Sequence, residues 1–172
     1  MSLDLARLDL RDALDLAILM EEEARQRYQD FSSLVGGRYT GDASDVFTLM
    51  ASYEARHGDQ LTLRRRALFP DLPSRVSLDM LDDLEAPDRG QPRTFMSARE
   101  AVVVAIRSEE KAWTFFDEAL KTVKDPQVKA LFRELRDEEE EHRRLLRDRL
   151  GKLPLGPDVP EEEADQPGSD GG

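Results

Sequence analysis

Four stretches of the chain repeat apolar residues at the three- and four-residue spacing of an α-helix, and each stripe contains a glutamate. On the last stripe, one face carries Leu131, Leu135, Glu139, His142 and Leu146. Side chains three residues apart on a helix lie about 5–6 Å from each other, so Glu139 and His142 can reach one common partner. An acid on a buried stripe needs such a partner, because an uncompensated buried charge costs several kcal/mol.

Each of the other three stripes also places one glutamate among apolar residues. They contain Leu14, Ala17, Glu21, Ala24, Tyr28 and Phe31 in the first, Phe47, Met50, Glu54, His57 and Leu61 in the second, and Val102, Ala105, Glu109, Ala112, Phe116 and Leu120 in the third. Glu109 follows Glu21 by 88 residues, and the Glu-x-x-His motif recurs after 85 residues. This spacing indicates a weak internal repeat, in which each half is a helix with one core glutamate followed by a helix with Glu-x-x-His.

The signals that start and stop helices predict an all-α four-helix bundle with a long crossover between the second and third helices. The predicted helices cover about 10–35, 42–68, 97–123 and 126–150. Ser97 with Glu100 predicts a capping box, and Asp125 with Pro126 predicts the start of the fourth helix. We expect a short lead at 1–9, a bundle domain at 10–151 with its crossover at 69–96 and one short helix near 77–85, and a disordered acidic tail at 152–172.

Composition excludes several classes of protein. The chain has no cysteine, which excludes thiolate zinc sites and iron–sulfur clusters within it. The net charge is −12, and no basic patch with interleaved aromatic residues occurs, so we expect no nucleic-acid partner. The apolar runs Leu16–Met20 and Ala101–Ile106 are too short to span a bilayer, and the N-terminus lacks a basic region before an apolar run. We therefore expect a cytoplasmic protein that does not bind membranes.

Packing the four stripes together would place four glutamates and two histidines inside one bundle. One Glu from each of two helices with Glu-x-x-His from each of the other two is the ligand set of di-iron and di-manganese carboxylate bundles. Four carboxylates and two divalent cations neutralise each other, whereas the carboxylates alone would repel. Mixed oxygen and imidazole ligands suit Fe, Mn or Zn. The predicted metal ligands, which would also be the catalytic residues, are Glu21, Glu54, His57, Glu109, Glu139 and His142.

These motifs resemble those of the ferritin-like superfamily, and within it the rubrerythrin-like branch. The likeness covers roughly residues 10–150: a glutamate followed at +3 by a small residue and at +7 by tyrosine, two Glu-x-x-His motifs, and Glu109-Glu-Lys-Ala112 with Phe116. The resemblance implies a ferritin-like bundle holding two Fe ions, with Glu54 and Glu139 bridging them. It also implies that Glu21, Glu109, His57 and His142 are terminal ligands and that Tyr28 hydrogen-bonds a ligand carboxylate.

The chain differs from relatives of this branch in three respects. Ala112 stands where rubrerythrins proper carry a further carboxylate that is associated with iron movement, which argues against efficient peroxide reduction. A rubredoxin domain is absent from the sequence, so electrons would come from an external donor or from Fe²⁺ itself. A proline-rich acidic tail stands where a storage ferritin has its fifth helix, which argues against a self-built cage.

The resemblance implies that the protein oxidises Fe²⁺ with O₂ or H₂O₂, as a ferroxidase or peroxidase of iron homeostasis or oxidative-stress defence does. We expect the protein to be a homodimer or higher homo-oligomer. The alternatives are substrate oxygenation, a non-catalytic iron-binding or delivery protein, and a metal-free structural bundle.

Each motif also has a simpler interpretation. The run before His142 can be a solvated helix face, Tyr28 an ordinary core residue, and Glu110 rather than Glu109 a ligand. Trp113 and Tyr53 fit packing or interface roles better than electron relays.

Overall fold

The structure, a computed structural model, describes residues 3–35, 43–77, 79–82 and 96–154. A 3₁₀ helix covers Leu5–Arg7, and the α-helices are α1 (Leu10–Val35), α2 (Ala43–Leu68), the short α3 (Asp79–Asp82), α4 (Ala98–Thr122) and α5 (Pro126–Lys152). No strand occurs within these ranges. The predicted all-α fold class is confirmed.

The two helices of the second half begin at the caps that the sequence predicts. The Ser97 side chain accepts a hydrogen bond from the Glu100 backbone N–H at 3.1 Å, and the Glu100 carboxylate accepts one from the Ser97 N–H at 2.7 Å. Asp125 caps α5, whose first residue is Pro126. Both caps satisfy backbone N–H groups that have no partner inside the helix. α5 continues through Gly151 to Lys152, two residues beyond the predicted end near 150.

The long helices form two antiparallel hairpins. α1 packs mainly on α2, and α4 packs mainly on α5. Arg65 near the end of α2 pairs with Asp15 near the start of α1, and Arg99 near the start of α4 donates to the Leu150 carbonyl near the end of α5. Contacts of α2 with α4 and of α1 with α5 join the hairpins into one bundle.

The apolar core consists of two clusters with the glutamates between them. On α1, Met20 belongs to one cluster and Tyr28 to the other. On α5, Leu135 belongs to the first cluster and Leu146 to the second, and Glu139 lies between them. The bundle therefore contains a buried polar layer across its middle, closed at both ends by apolar side chains.

Arg65 anchors the start of the crossover. Its guanidinium pairs with Asp15 at 2.7 Å and also donates to the carbonyls of Phe69 and Leu72. The predicted short helix at 77–85 corresponds in the described residues to α3 alone. The rest of the crossover between 83 and 95, and the predicted disordered tail beyond residue 154, lie outside the described residues. Among the described helices, none has the length and apolarity needed to cross a membrane.

Candidate metal centre

The structure brings all six predicted ligands into the polar layer. The four carboxylates and His142 are at most 5% exposed, whereas the His57 side chain remains 12% exposed. Each long helix contributes at its midpoint, and the residues concerned are Glu21 from α1, Glu54 and His57 from α2, Glu109 from α4, and Glu139 and His142 from α5.

Five of these residues form two sets of potential cation ligands. The first set is Glu21, Glu54 and His57, and the second is Glu54, Glu109 and His142; within each set the ligand atoms lie within 4.8 Å of one another. Each set combines two carboxylates with one imidazole, and Glu54 belongs to both. In two-metal sites the ions lie about 3.5–4 Å apart. Two ions at that spacing need a carboxylate that belongs to both ligand sets, as Glu54 does here.

Glu139 lies in the same layer but outside both sets. Its Oε2 is 3.8 Å from His142 Nδ1, and its carboxyl hydrogen-bonds that of Glu109. Burial, followed by the negative charge of Glu109, raises the pKa of Glu139 well above its usual value. The raised pKa favours the protonated Glu139 carboxyl, which donates a hydrogen bond to Glu109.

Glu109 is held from two further sides. Its Oε2 lies 2.8 Å from His142 Nδ1, and its Oε1 accepts a hydrogen bond from the Tyr28 hydroxyl. Burial alone would raise the pKa of Glu109, but the hydrogen bonds from His142, Glu139 and Tyr28 lower it below the usual value. Burial and the Glu109 charge raise the pKa of Tyr28, so its hydroxyl remains a donor.

Two buried polar atoms in the layer lack a hydrogen-bond partner among the described residues. They are Glu21 Oε2 and His57 Nδ1, which lie 4.0 Å apart. Buried polar atoms without partners are rare in folded proteins. A carboxylate oxygen and an imidazole nitrogen are both cation ligands, so the donor set fits a metal ion at this position.

The remaining titratable groups of the layer also have shifted pKa values. Burial raises the pKa of Glu21 to about 7, and the Glu54 hydrogen bond only partly opposes this rise. The pKa of Glu54 is raised well above its usual value by burial and by Glu109. Burial and the charge of His142 lower the pKa of His57 to about 4, which leaves its imidazole neutral and able to bind a metal.

The layer has two different faces. On the side of α1 and α4, all four glutamates border a cavity of about 40 Å³ that Ala24 and Ala112 also line; neither histidine is among its described lining residues. On the side of α2 and α5, the His57 and His142 rings stack with centroids 4.9 Å apart. Tyr53 stacks on the outer side of His142 at 5.4 Å.

The structure distinguishes the two neighbouring glutamates of α4. Glu109 points into the polar layer, whereas the Glu110 side chain is 54% exposed and lies 3.2 Å from Arg143. Arg143 in turn lies over the Trp113 ring at 5.3 Å, which gives Trp113 a packing role.

Sequence reasoning missed two contacts of the histidines. Tyr53 stacks on His142, and the carboxylate of Glu138 lies 3.6 Å from His57 Nδ1. Tyr53 lies one helical turn before His57, a spacing that could have indicated proximity to the site. Glu138 stands within a run of four glutamates, but it lies three residues after Leu135 and four before His142, a spacing that could have placed it at the edge of the buried stripe.

Comparison with known proteins decides the family. The model of the rubrerythrin family matches residues 12–89 and 100–167. The chain belongs to the rubrerythrin family. A rubrerythrin-family chain with these carboxylate and histidine groups fits a di-iron protein, and the cysteine-free sequence offers no ligands for a rubredoxin iron site.

Two solved structures resemble this member of the rubrerythrin family. An uncharacterized conserved protein from Magnetospirillum magnetotacticum MS-1 is 29% identical with a TM-score of 0.65, over 87% of this chain and 98% of that one. A hypothetical protein from Pyrococcus furiosus is 21% identical with a TM-score of 0.50, over 85% of this chain and 90% of that one, and it supports the fold alone. A comparison with curated proteins gives no match.

Proposed function

We propose that this rubrerythrin-family protein binds two iron ions in the polar layer and oxidises Fe²⁺ with O₂ or H₂O₂. The observation that carries the proposal is that Glu54 belongs to both ligand sets. Glu21, Glu54 and His57 would hold one ion, and Glu54, Glu109 and His142 would hold the other. Glu139 would be a further carboxylate ligand in the layer, shared between the ions as the resemblance implies.

The charge of the layer supports two divalent ions. Four carboxylates that are almost fully buried carry four negative charges when ionised, and two divalent cations neutralise them. When no cation is bound, the raised pKa values of Glu21, Glu54 and Glu139 favour protonated carboxyls at these three residues, whereas the pKa of Glu109 is lowered. Loading therefore exchanges protons for metal ions, which is the usual coupling at carboxylate sites. Fe is favoured by the family, and Mn or Zn satisfies the same ligands.

The size of the cavity favours small oxidants over organic substrates. Sites for drug-sized molecules have volumes of about 300–1,000 Å³, whereas the cavity beside the glutamates has about 40 Å³. A cavity whose volume, measured in the same way, is about 10–15 Å³ holds one water molecule. O₂ or H₂O₂ therefore fits into the cavity beside the glutamates, and a larger substrate does not. This argues against substrate oxygenation.

The side chains around the layer have distinct tasks. A bound iron pair supplies the electrons that reduce O₂ or H₂O₂. Phe116 and Met20 border the cavity and limit the access of water. Tyr28 and His142 fix the two oxygens of Glu109, so this carboxylate keeps its orientation while the charge at the site changes. Electrons for further turnovers come from an external donor or from additional Fe²⁺. In this proposal the protein acts in the cytoplasm as a homo-oligomer.

Metal analysis followed by rapid kinetics tests the proposal. The purified protein should bind two ions per chain, and Glu54→Ala or His142→Ala should abolish binding of the pair, while Glu110→Ala, a change at an exposed neighbour, should not. Unchanged stoichiometry in the first two variants would refute the ligand assignment.

Stopped-flow mixing then separates the possible activities. Fast oxidation of the Fe²⁺-loaded protein by O₂ identifies a ferroxidase, and a preference for H₂O₂ identifies a peroxidase. Slow reaction with both, despite two bound ions, would favour the alternative of iron binding or delivery. A wild-type protein that binds no metal would favour the structural bundle.

A further inference from the structure

The acids on the exposed side of α5 differ in their partners. Four of them lie next to an arginine: Glu134 by Arg64 at 3.0 Å, Asp137 by Arg136 at 3.3 Å, Glu140 by Arg143 at 2.7 Å and Glu141 by Arg144 at 2.8 Å. Glu138 lies in the same run, but within the described residues it has no lysine or arginine nitrogen inside 4.0 Å. Its carboxylate is therefore not neutralised by the cations that neutralise its neighbours.

Glu138 faces the metal centre instead. Its Oε2 is 3.6 Å from His57 Nδ1, and Glu21 Oε2 lies 4.0 Å from the same nitrogen. The His57 and Glu21 atoms are the two buried polar atoms of the layer that lack a hydrogen-bond partner among the described residues. The side chains of Glu138, His57 and Glu21 are 33%, 12% and 4% exposed, so His57 lies within 4.0 Å of both an accessible carboxylate and a buried one.

We propose that Glu138 is the uptake carboxylate of the metal centre: it binds a divalent cation from solvent and transfers it through His57 to the set of Glu21, Glu54 and His57. The inference rests on the proposed function, since it requires the layer to hold cations. Glu138 exchanges some of the waters of the hydrated ion for a carboxylate oxygen while the ion is still at the surface. The cost of dehydration is thereby divided into two steps, and His57 Nδ1 receives the ion next. Glu138 is not a permanent ligand in this scheme.

The test measures the loading of Co²⁺ into the full-length metal-free protein by stopped-flow absorbance. Co²⁺ accepts the same oxygen and nitrogen ligands and needs no oxidant, so the signal reports binding and not catalysis. Glu138→Gln keeps the size of the side chain and removes its charge. Glu141→Gln is the matched control, because it removes one charge from the same run at a residue that is paired with Arg144.

We expect Glu138→Gln to load about five- to tenfold more slowly than wild type and Glu141→Gln to load within about twofold of it, since local charges at a site change association rates more than distant ones. Both variants should reach two Co²⁺ per chain at saturation. Equal loading rates of Glu138→Gln and Glu141→Gln would overturn the proposal. A capacity of one ion in Glu138→Gln would also overturn it, because Glu138 would then be a resident ligand. A wild-type protein that takes up no Co²⁺ would instead refute the metal centre itself.

Discussion

Replacing Glu21 by Gln should stabilise the metal-free protein and weaken the metal-loaded one. Burial raises the pKa of Glu21 from 4.5 to about 7. One pKa unit corresponds to about 1.4 kcal/mol, so an ionised Glu21 costs the metal-free fold about 3 kcal/mol at neutral pH. Gln has nearly the same shape, carries no charge and can still accept the hydrogen bond from Glu54 through its amide oxygen. The expected gain in the free energy of unfolding is therefore about 2–3 kcal/mol at pH 7.5.

The gain should depend on pH in a defined direction. The folded pKa of Glu21 lies above its unfolded value, so wild-type stability is retained below about pH 4.5 and is lost as the pH rises to about 7. Gln does not titrate. The difference between Glu21→Gln and wild type should thus be near zero at pH 4.5 and reach its full size above pH 7.

Urea unfolding with a chelator present, and again with excess Zn²⁺, measures both parts of the prediction. Zn²⁺ at a thousand times its Kd adds about 4.1 kcal/mol per site. The variant lacks a ligand of one site, and the loss of that binding exceeds the gain of about 2–3 kcal/mol, so wild type should be the more stable protein with metal. Glu110→Gln, at an exposed position, should change stability by less than about 0.5 kcal/mol in either condition. If Glu21→Gln destabilised the protein both with and without metal, Glu21 would be one half of an ordinary buried ion pair and the reasoning would be wrong.

Three further predictions follow from individual contacts. Tyr28→Phe removes the donor to Glu109 and should weaken metal binding by about 10- to 100-fold in a competition titration with a chelating dye, while leaving two sites; unchanged affinity would assign Tyr28 to core packing alone. Adding Zn²⁺ to metal-free protein at pH 6.5 should release protons, seen as a dependence of the calorimetric heat on the ionisation enthalpy of the buffer, because the carboxyls with raised pKa values must ionise to bind metal; heats independent of the buffer would contradict protonated carboxyls. Arg65→Met leaves Asp15 buried without its partner and removes the hydrogen bonds to the start of the crossover, so the free energy of unfolding should fall by about 3–5 kcal/mol. The double variant with Asp15→Leu should recover much of that loss. If it recovered none, the loss would come from the hydrogen bonds of Arg65 to the crossover carbonyls and not from the unpaired Asp15.

The fold class and the composition of the polar layer follow from local signals. The spacing of apolar residues reports which face of a helix is buried, and Glu21, Glu54, Glu109 and Glu139 stand at positions that a period of 3.6 residues places inside. The caps at Ser97 and Asp125 involve residues two to three positions apart, so they can be predicted without knowledge of the rest of the chain.

Other features of the site could not be predicted in this way. Glu109 and Glu110 are adjacent acids, and the packing of α4 against its neighbours is what turns Glu110 out towards Arg143. Glu138 and Glu141 belong to the same run of glutamates, and only the structure shows that one faces His57 and the other faces Arg144. Such differences depend on which helix lies opposite each side chain.

By itself, the sequence determined that the protein is helical, that four glutamates and two histidines lie on the apolar stripes, and that these acids need positive partners. Periodicity and capping are properties of short segments, and the chain's local chemistry is sufficient for them. The tertiary structure alone decided that Glu54 is shared by two ligand sets, that a small cavity borders the carboxylates, and that Glu138 approaches His57. These features depend on contacts between side chains of helices that are far apart in the chain. Only the packing of the whole bundle determines which of these side chains meet.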